Sequence, residues 1–167
     1  MQKTGIFYGS TTGTTAAIAA DIARKLGVNE ADVHNVSETS PDAFGKYDVL
    51  ILGTSTWGSG DLQEDWYDFI SGIEVLDLKR KKIALFGCGD ETMSDTFCNA
   101  VGTLYDRLQP TGATFIAPYD TVGYSFNSSS AVRDGIGVGL LLDEVNHPEA
   151  TGIRLQGWIN EISDAIR

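Results

Sequence analysis

The order of apolar runs along this chain limits its fold more than any other feature. Gly5–Tyr8, Val49–Leu52, Ile83–Phe86, Ala113–Ala117 and Val138–Leu142 are short and nearly continuous in apolar character. Such runs suit strands buried on both faces, as in a parallel sheet. Asp32–Val36 is a weaker candidate strand. Between the runs, apolar residues recur at helical spacing. Ile18, Ile22 and Leu26 form one stripe, and Trp66, Phe69, Ile70 and Ile73 a second. Phe97, Val101, Leu104 and Leu108 form a third, and Leu155, Trp158, Ile159, Ile162 and Ile166 a fourth. A short helix also fits Pro41–Gly45. The alternation predicts a doubly wound α/β fold in a single domain spanning residues 1–167. Its parallel sheet has five strands with helices on both faces. The last strand is split by the polar, Gly- and Ser-rich excursion Tyr119–Gly137, either a surface detour or a partner-docking loop.

Composition narrows the function. The chain carries 12 Lys plus Arg against 23 Asp plus Glu, a formal net charge of −11. That balance opposes nucleic-acid binding, which needs a cationic surface. It suits docking onto basic protein patches. The apolar runs are too short to span a bilayer. Met1-Gln2-Lys3-Thr4 leads straight into a strand-like run, so a cytoplasmic protein is expected. A monomer that binds neither membrane nor nucleic acid completes that expectation. Cys88 and Cys98 read as free thiols without metal-ligand spacing, and no metal site is expected.

Ligands in doubly wound folds bind beyond the carboxyl ends of the strands. The loops after Tyr8, Leu52 and Phe86 are therefore the ones that matter. The first reads Gly9-Ser10-Thr11-Thr12-Gly13-Thr14-Thr15 and opens an alanine-rich helix. Hydroxyls, backbone N–H groups and a helix N-terminus make an anion cradle. No Lys or Arg lies between Gly5 and Asp21, so neutral donors would hold the anion. The missing lysine disfavours a P-loop nucleotidase. The second loop, Gly53-Thr54-Ser55-Thr56-Trp57-Gly58-Ser59-Gly60, sets a Trp among turn residues. Such a ring either stacks on a flat ligand or folds back onto the core. The third, Gly87-Cys88-Gly89-Asp90-Glu91-Thr92-Met93-Ser94-Asp95-Thr96-Phe97, offers glycines for close approach of a planar ligand. Met93 could lie on a ring face, fill a gap or stand exposed on the loop. His34 and His147 read as surface residues.

Together the three loops resemble those of flavodoxins. Ser10, Thr12, Gly13 and Thr15 match that family's phosphate loop, and TSTWGSGDLQEDW from Thr54 to Trp66 resembles its second motif. Phe86–Asp90 and Asp95–Phe97 match the third. The insert ending in Ser130-Ala131-Val132-Arg133-Asp134-Gly135, and the stretch Gly139–Glu144, are similar to the long-chain subgroup. The resemblance runs from about residue 4 to about residue 166.

It implies the strand order 2-1-3-4-5 and a non-covalently bound flavin mononucleotide (FMN) that shuttles single electrons at low potential. The implied cofactor contacts are Ser10, Thr11, Thr12, Gly13, Thr14 and Thr15 at the phosphate. Ser55, Thr56, Trp57, Gly58, Gly60, Cys88, Gly89, Asp90, Met93, Phe97 and Cys98 are implied around the ring and ribityl chain. Trp57 would stack on the isoalloxazine, and the Trp57–Gly58 peptide would turn as the flavin changes oxidation state. The implied partners are redox proteins such as an NADP-linked flavodoxin reductase and flavodoxin-dependent oxidoreductases. They would dock at an edge made acidic by Asp61, Glu64, Asp65, Asp68, Asp90, Glu91 and Asp95. Two departures stand out. Met93 occupies the place of the family's stacking Tyr in a loop one residue shorter, and Val145 replaces a carboxylate. A flavin-dependent reductase of quinones or similar small molecules is the alternative function. A phosphoryl-accepting receiver domain is disfavoured, because Tyr8-Gly9 and Gly53-Thr54 stand where it needs carboxylates.

Overall fold

The computed structural model describes residues 2–166. Its main sheet uses β1 (Thr4–Gly9), β2 (Val33–Asn35), β3 (Val49–Trp57) and β5 (Lys82–Cys88), with β4 (Asp61–Leu62) hairpinned onto β3. The last strand comes in two pieces, β6 (Thr114–Phe115) and β10 (Leu140–Leu142), which pair with opposite ends of β5. The order β2-β1-β3-β5-β10, parallel throughout, is the expected doubly wound arrangement. Between the two pieces, β7 (Tyr119–Asp120), β8 (Val132–Arg133) and β9 (Ile136–Gly137) make a small antiparallel sheet of their own. The excursion is thus a folded subunit of the architecture, not a bare loop.

Both faces of the sheet are dry. On one, α1 (Thr14–Leu26) and α4 (Pro148–Ala165) cover Ile6, Ile51, Ala84 and Leu142 with Ile18, Ile22, Trp158 and Ile162. On the other, α2 (Asp65–Ile73) and α3 (Asn99–Leu108) bring Trp66, Phe69, Val101 and Leu104 onto Phe7, Leu50, Leu52 and Leu85. Burial on two sides is why the strands read as continuous apolar runs and not as alternation. Each buried Ile, Leu, Val or Phe among them contributes about 1.5–3 kcal/mol relative to exposure. Trp158 Nε1 donates to the Ala117 carbonyl at 2.9 Å, so the largest ring on that face leaves no polar atom stranded.

His34 departs from its expected place on the surface. Its ring stacks on Phe7 (centroids 4.8 Å), and Nε2 lies 2.6 Å from Tyr47 Oη. Tyr47 Oη donates its only proton to Asp32 Oδ1 at 2.9 Å, so His34 must donate from Nε2. Burial, followed by the Asp32 hydrogen bond, pushes the Tyr47 hydroxyl up to about 12. Burial also lowers the His34 pKa, with Asp32 opposing and Lys46 assisting. The unfolded chain then binds more protons than the folded one as pH falls from about 6.5 towards the folded pKa. Stability is lost across that window. In His34→Gln the fall in urea midpoint between pH 7.5 and 5.5 should shrink; an unchanged fall would show that His34 is not its source.

Candidate functional site

The carboxyl ends of β1, β3 and β5 bring three loops together at one edge of the sheet. The first runs from Ser10 into α1. Gly13, with φ of +94°, turns the chain into the helix and is a conformation few side chains adopt. Ser10 Oγ accepts from the Gly13 N–H at 3.1 Å. No side chain caps α1, and no acidic residue lies in its first turn. Its leading N–H groups have no acceptor within the helix, so the dipole's positive end is left for something outside it. Thr11, Thr12 and Gly13 are exposed, Ser10 and Thr14 half-buried, and Thr15 buried. Thr15 Oγ1 is sealed from solvent, beside the Cys88 thiol.

The second loop is shorter than the sequence suggested. Strand β3 continues through Thr56 and Trp57, which pair with Leu62 and Asp61 of β4. Gly58 (φ +53°) and Gly60 (φ +107°) make the tight turn between them. Trp57 therefore stands at a strand end and is 42% exposed, not folded onto the core. Its Nε1 donates to Ser55 Oγ at 2.8 Å, which holds the ring's edge and leaves its faces free. Thr56 Oγ1 is a buried hydroxyl without a partner. A cavity of about 350 Å³, lined by Thr11, Trp57, Asp61, Leu62, Glu64 and Tyr67, joins this hairpin to the first loop. A larger hollow lined by Lys3, Leu26 and Asp48 lies at the opposite end of the sheet, away from all three loops.

The third loop follows β5. Asp90 Oδ1 accepts from Thr92 N and from Asn146 Nδ2 (2.7 Å), and these bonds lower its pKa, the Thr92 hydroxyl foremost. Met93 is 49% exposed, so it fills no gap in the core. Gly87 and Gly89 serve packing. A Cβ on Gly87 would meet Val101 at 2.2 Å, and one on Gly89 would meet Cys98 N at 2.9 Å. They let α3 approach the sheet. Phe97 lies beneath the loop, stacked on Phe126 of the excursion (4.9 Å), and presents no surface at the edge. Cys98 is likewise fully buried. Burial pushes the Cys88 thiol up to about 12, with the Thr15 hydroxyl pulling the other way, so no thiolate nucleophile is available.

Ser10–Thr15, Ser55–Gly60 and Cys88–Met93 thus meet along one rim, while Phe97 and Cys98 support it from below. Glu91, expected on the acidic edge, is instead 3% exposed, and Asp65 is half-buried. Asp61, Glu64, Asp68 and Asp95 remain exposed. Sequence reasoning missed Gln63. It is buried, donates from Nε2 to Thr11 Oγ1 (3.1 Å) and Asp65 Oδ2 (2.7 Å), and ties the hairpin to the first loop. Its place inside the second motif was the available signal. No helix among the described residues is long and apolar enough to cross a membrane.

The family model described as Flavodoxin matches residues 6–158. The chain belongs to the flavodoxin family. It is 43% identical to Flavodoxin 1 of Escherichia coli (strain K12) over 168 residues, covering 99% of this chain and 96% of that one. It is 38% identical to the flavodoxin of Synechocystis sp. over 169 residues, covering 100% and 99%. A crystal structure of Fusobacterium nucleatum flavodoxin bound to flavin mononucleotide superposes with a TM-score of 0.91 at 30% identity, over 100% of both chains. Flavodoxins are electron-transfer proteins and not enzymes, which decides against the small-molecule reductase.

Proposed function

We propose that this flavodoxin is a low-potential, one-electron carrier that holds FMN without a covalent bond at the three-loop rim. The observation that carries this reading is the uncapped, cation-free N-terminus of α1 beside a half-exposed Trp57. One pole suits a phosphate and the other a flat aromatic ring. Thr56 Oγ1 is buried without a partner, a state that costs about 1–3 kcal/mol and that a ligand oxygen would relieve. Bound FMN supplies the redox centre. Ser10–Thr15 would hold its phosphate through N–H and hydroxyl donors. Trp57 would cover one ring face, with Ser55 keeping the indole in place. Gly58 bears no Cβ to oppose a turn of the Trp57–Gly58 peptide. Gly60, Cys88, Gly89, Asp90 and Met93 would border the ring, with Phe97 and Cys98 behind them. Titrating the apoprotein with FMN should quench flavin fluorescence at one FMN per chain; riboflavin binding as tightly as FMN would remove the phosphate cradle from the reading.

The partners we propose are redox proteins with basic docking faces, such as an NADP-linked flavodoxin reductase and flavodoxin-dependent oxidoreductases. Asp61, Glu64 and Asp68 beside Trp57 would steer them. We also propose that the chain is a cytoplasmic monomer of the long-chain subgroup; the folded insert at residues 119–137, between β6 and β10, supports the subgroup.

Met93 and Val145 set the potential of the second electron. A stacked phenol ring disfavours negative charge on the ring beneath it, and so does a nearby carboxylate. The exposed Met93 and the exposed Val145 remove both influences. Met93→Tyr should therefore lower that potential. An aromatic pair is worth about 0.5–1.5 kcal/mol, or roughly 20–65 mV for one electron. An unchanged or higher potential in Met93→Tyr would refute the stacking argument.

A further inference from the structure

Behind the rim, the third loop meets the start of α4 through a cluster that the FMN site does not use. Glu91 is 3% exposed and His147 half-exposed, with Oε2 and Nε2 2.9 Å apart. Their approach lacks hydrogen-bond alignment, and Oε2 has no hydrogen-bond partner. The other Glu91 oxygen accepts from Ser125 N at 2.7 Å. His147 Nδ1 lies 3.2 Å from Glu149 Oε1. With the proton of a neutral ring on Nδ1, Nε2 turns a lone pair towards a buried carboxylate oxygen, and two lone-pair donors held this close repel unless a cation lies between them.

We propose that Glu91 and His147 bind a divalent transition-metal ion of the zinc class. An imidazole nitrogen with carboxylate oxygens selects such an ion over magnesium or calcium, which take oxygen ligands. In a tetrahedral zinc site, ligand atoms about 2.0–2.2 Å from the ion lie roughly 3.3 Å apart. The half-exposed imidazole can move the few tenths of an ångström that this requires. Asp143 lies with them, the three ligand atoms all within 4.8 Å of one another. Its carboxylate already accepts from Glu91 N, Val145 N, Asn146 N and Asn146 Nδ2. It therefore orients Glu91 and adds negative charge more than it adds a strong third bond. Water reaching the His147 side would complete the coordination. Such an ion would pin the Met93-bearing loop to α4.

The test is calorimetric titration of ZnCl₂ into chelator-treated, FMN-loaded protein, with ¹⁵N spectra of the two histidines. One zinc per chain should bind, shifting the His147 ring nitrogens and leaving His34 unmoved. His147→Gln and Glu91→Gln should each weaken binding at least about tenfold, since even outer partners of metal ligands are worth 10–100-fold. Flavin content should stay unchanged in His147→Gln. Three results would overturn the site: no stoichiometric binding below about 1 mM, equal binding in both variants, or zinc shifts confined to His34. A His147 ring that stays doubly protonated at neutral pH and takes no zinc would overturn it too, because a proton would then fill the gap.

Discussion

Thr12→Glu should weaken FMN binding about a thousandfold. Thr12 is exposed in the loop before α1, so the substitution leaves the core untouched. It places a carboxylate where the proposed phosphate sits. No Lys or Arg lies between Gly5 and Asp21 to absorb the charge, and the chain as a whole is at −11. Two unit charges about 4 Å apart near a protein surface interact by about 4 kcal/mol, three decades of affinity. Thr12→Gln, the uncharged counterpart, loses only a neutral donor and should weaken binding by about tenfold or less. Fluorescence titration separates the two. Equal losses in both variants would mean that the anion sits elsewhere, or that this loop acts through shape alone.

Trp57→Ala should weaken binding by roughly 5–150-fold, the equivalent of the 1–3 kcal/mol that an aromatic side chain contributes by stacking on one heterocycle. Trp57 is suited to this role by its backbone as much as by its ring. It ends β3, pairs with Asp61, and has its indole N–H committed to Ser55. The stacking surface is thereby preorganised, so little side-chain entropy is lost on binding. Trp57→Phe should recover most of the loss. If Trp57→Ala binds FMN as well as the parent chain, the exposed indole has another purpose, such as contact with a partner.

Much of this was legible before any coordinates. Two-sided burial left continuous apolar runs, which located the strands, while the family resemblance implied their order; the special loops had to follow β1, β3 and β5. Errors gathered where tertiary contacts override local signals. Trp57 reads as a loop residue because Gly58 and Gly60 flank it, yet pairing with β4 keeps it in a strand. Gly87 and Gly89 read only as room for a ligand, and the fold adds a second reason for them, since their missing Cβ atoms make room for Val101 and Cys98. Glu91 looks like surface charge, and only the fold reveals the Ser125 amide and His147 that meet it. His34 looks solvated until Phe7 and Tyr47 close around it. Periodicity locates helices and strands; it does not report which polar side chains find partners from distant segments.

The most direct test of the central claim is stepwise reduction of the FMN-loaded protein, followed by absorption under anaerobic conditions. Two separate one-electron steps, with a half-reduced form accumulating between them at one flavin per chain, are the predicted result. A chain that retains no FMN, or one that takes both electrons in a single unresolved step, would contradict it.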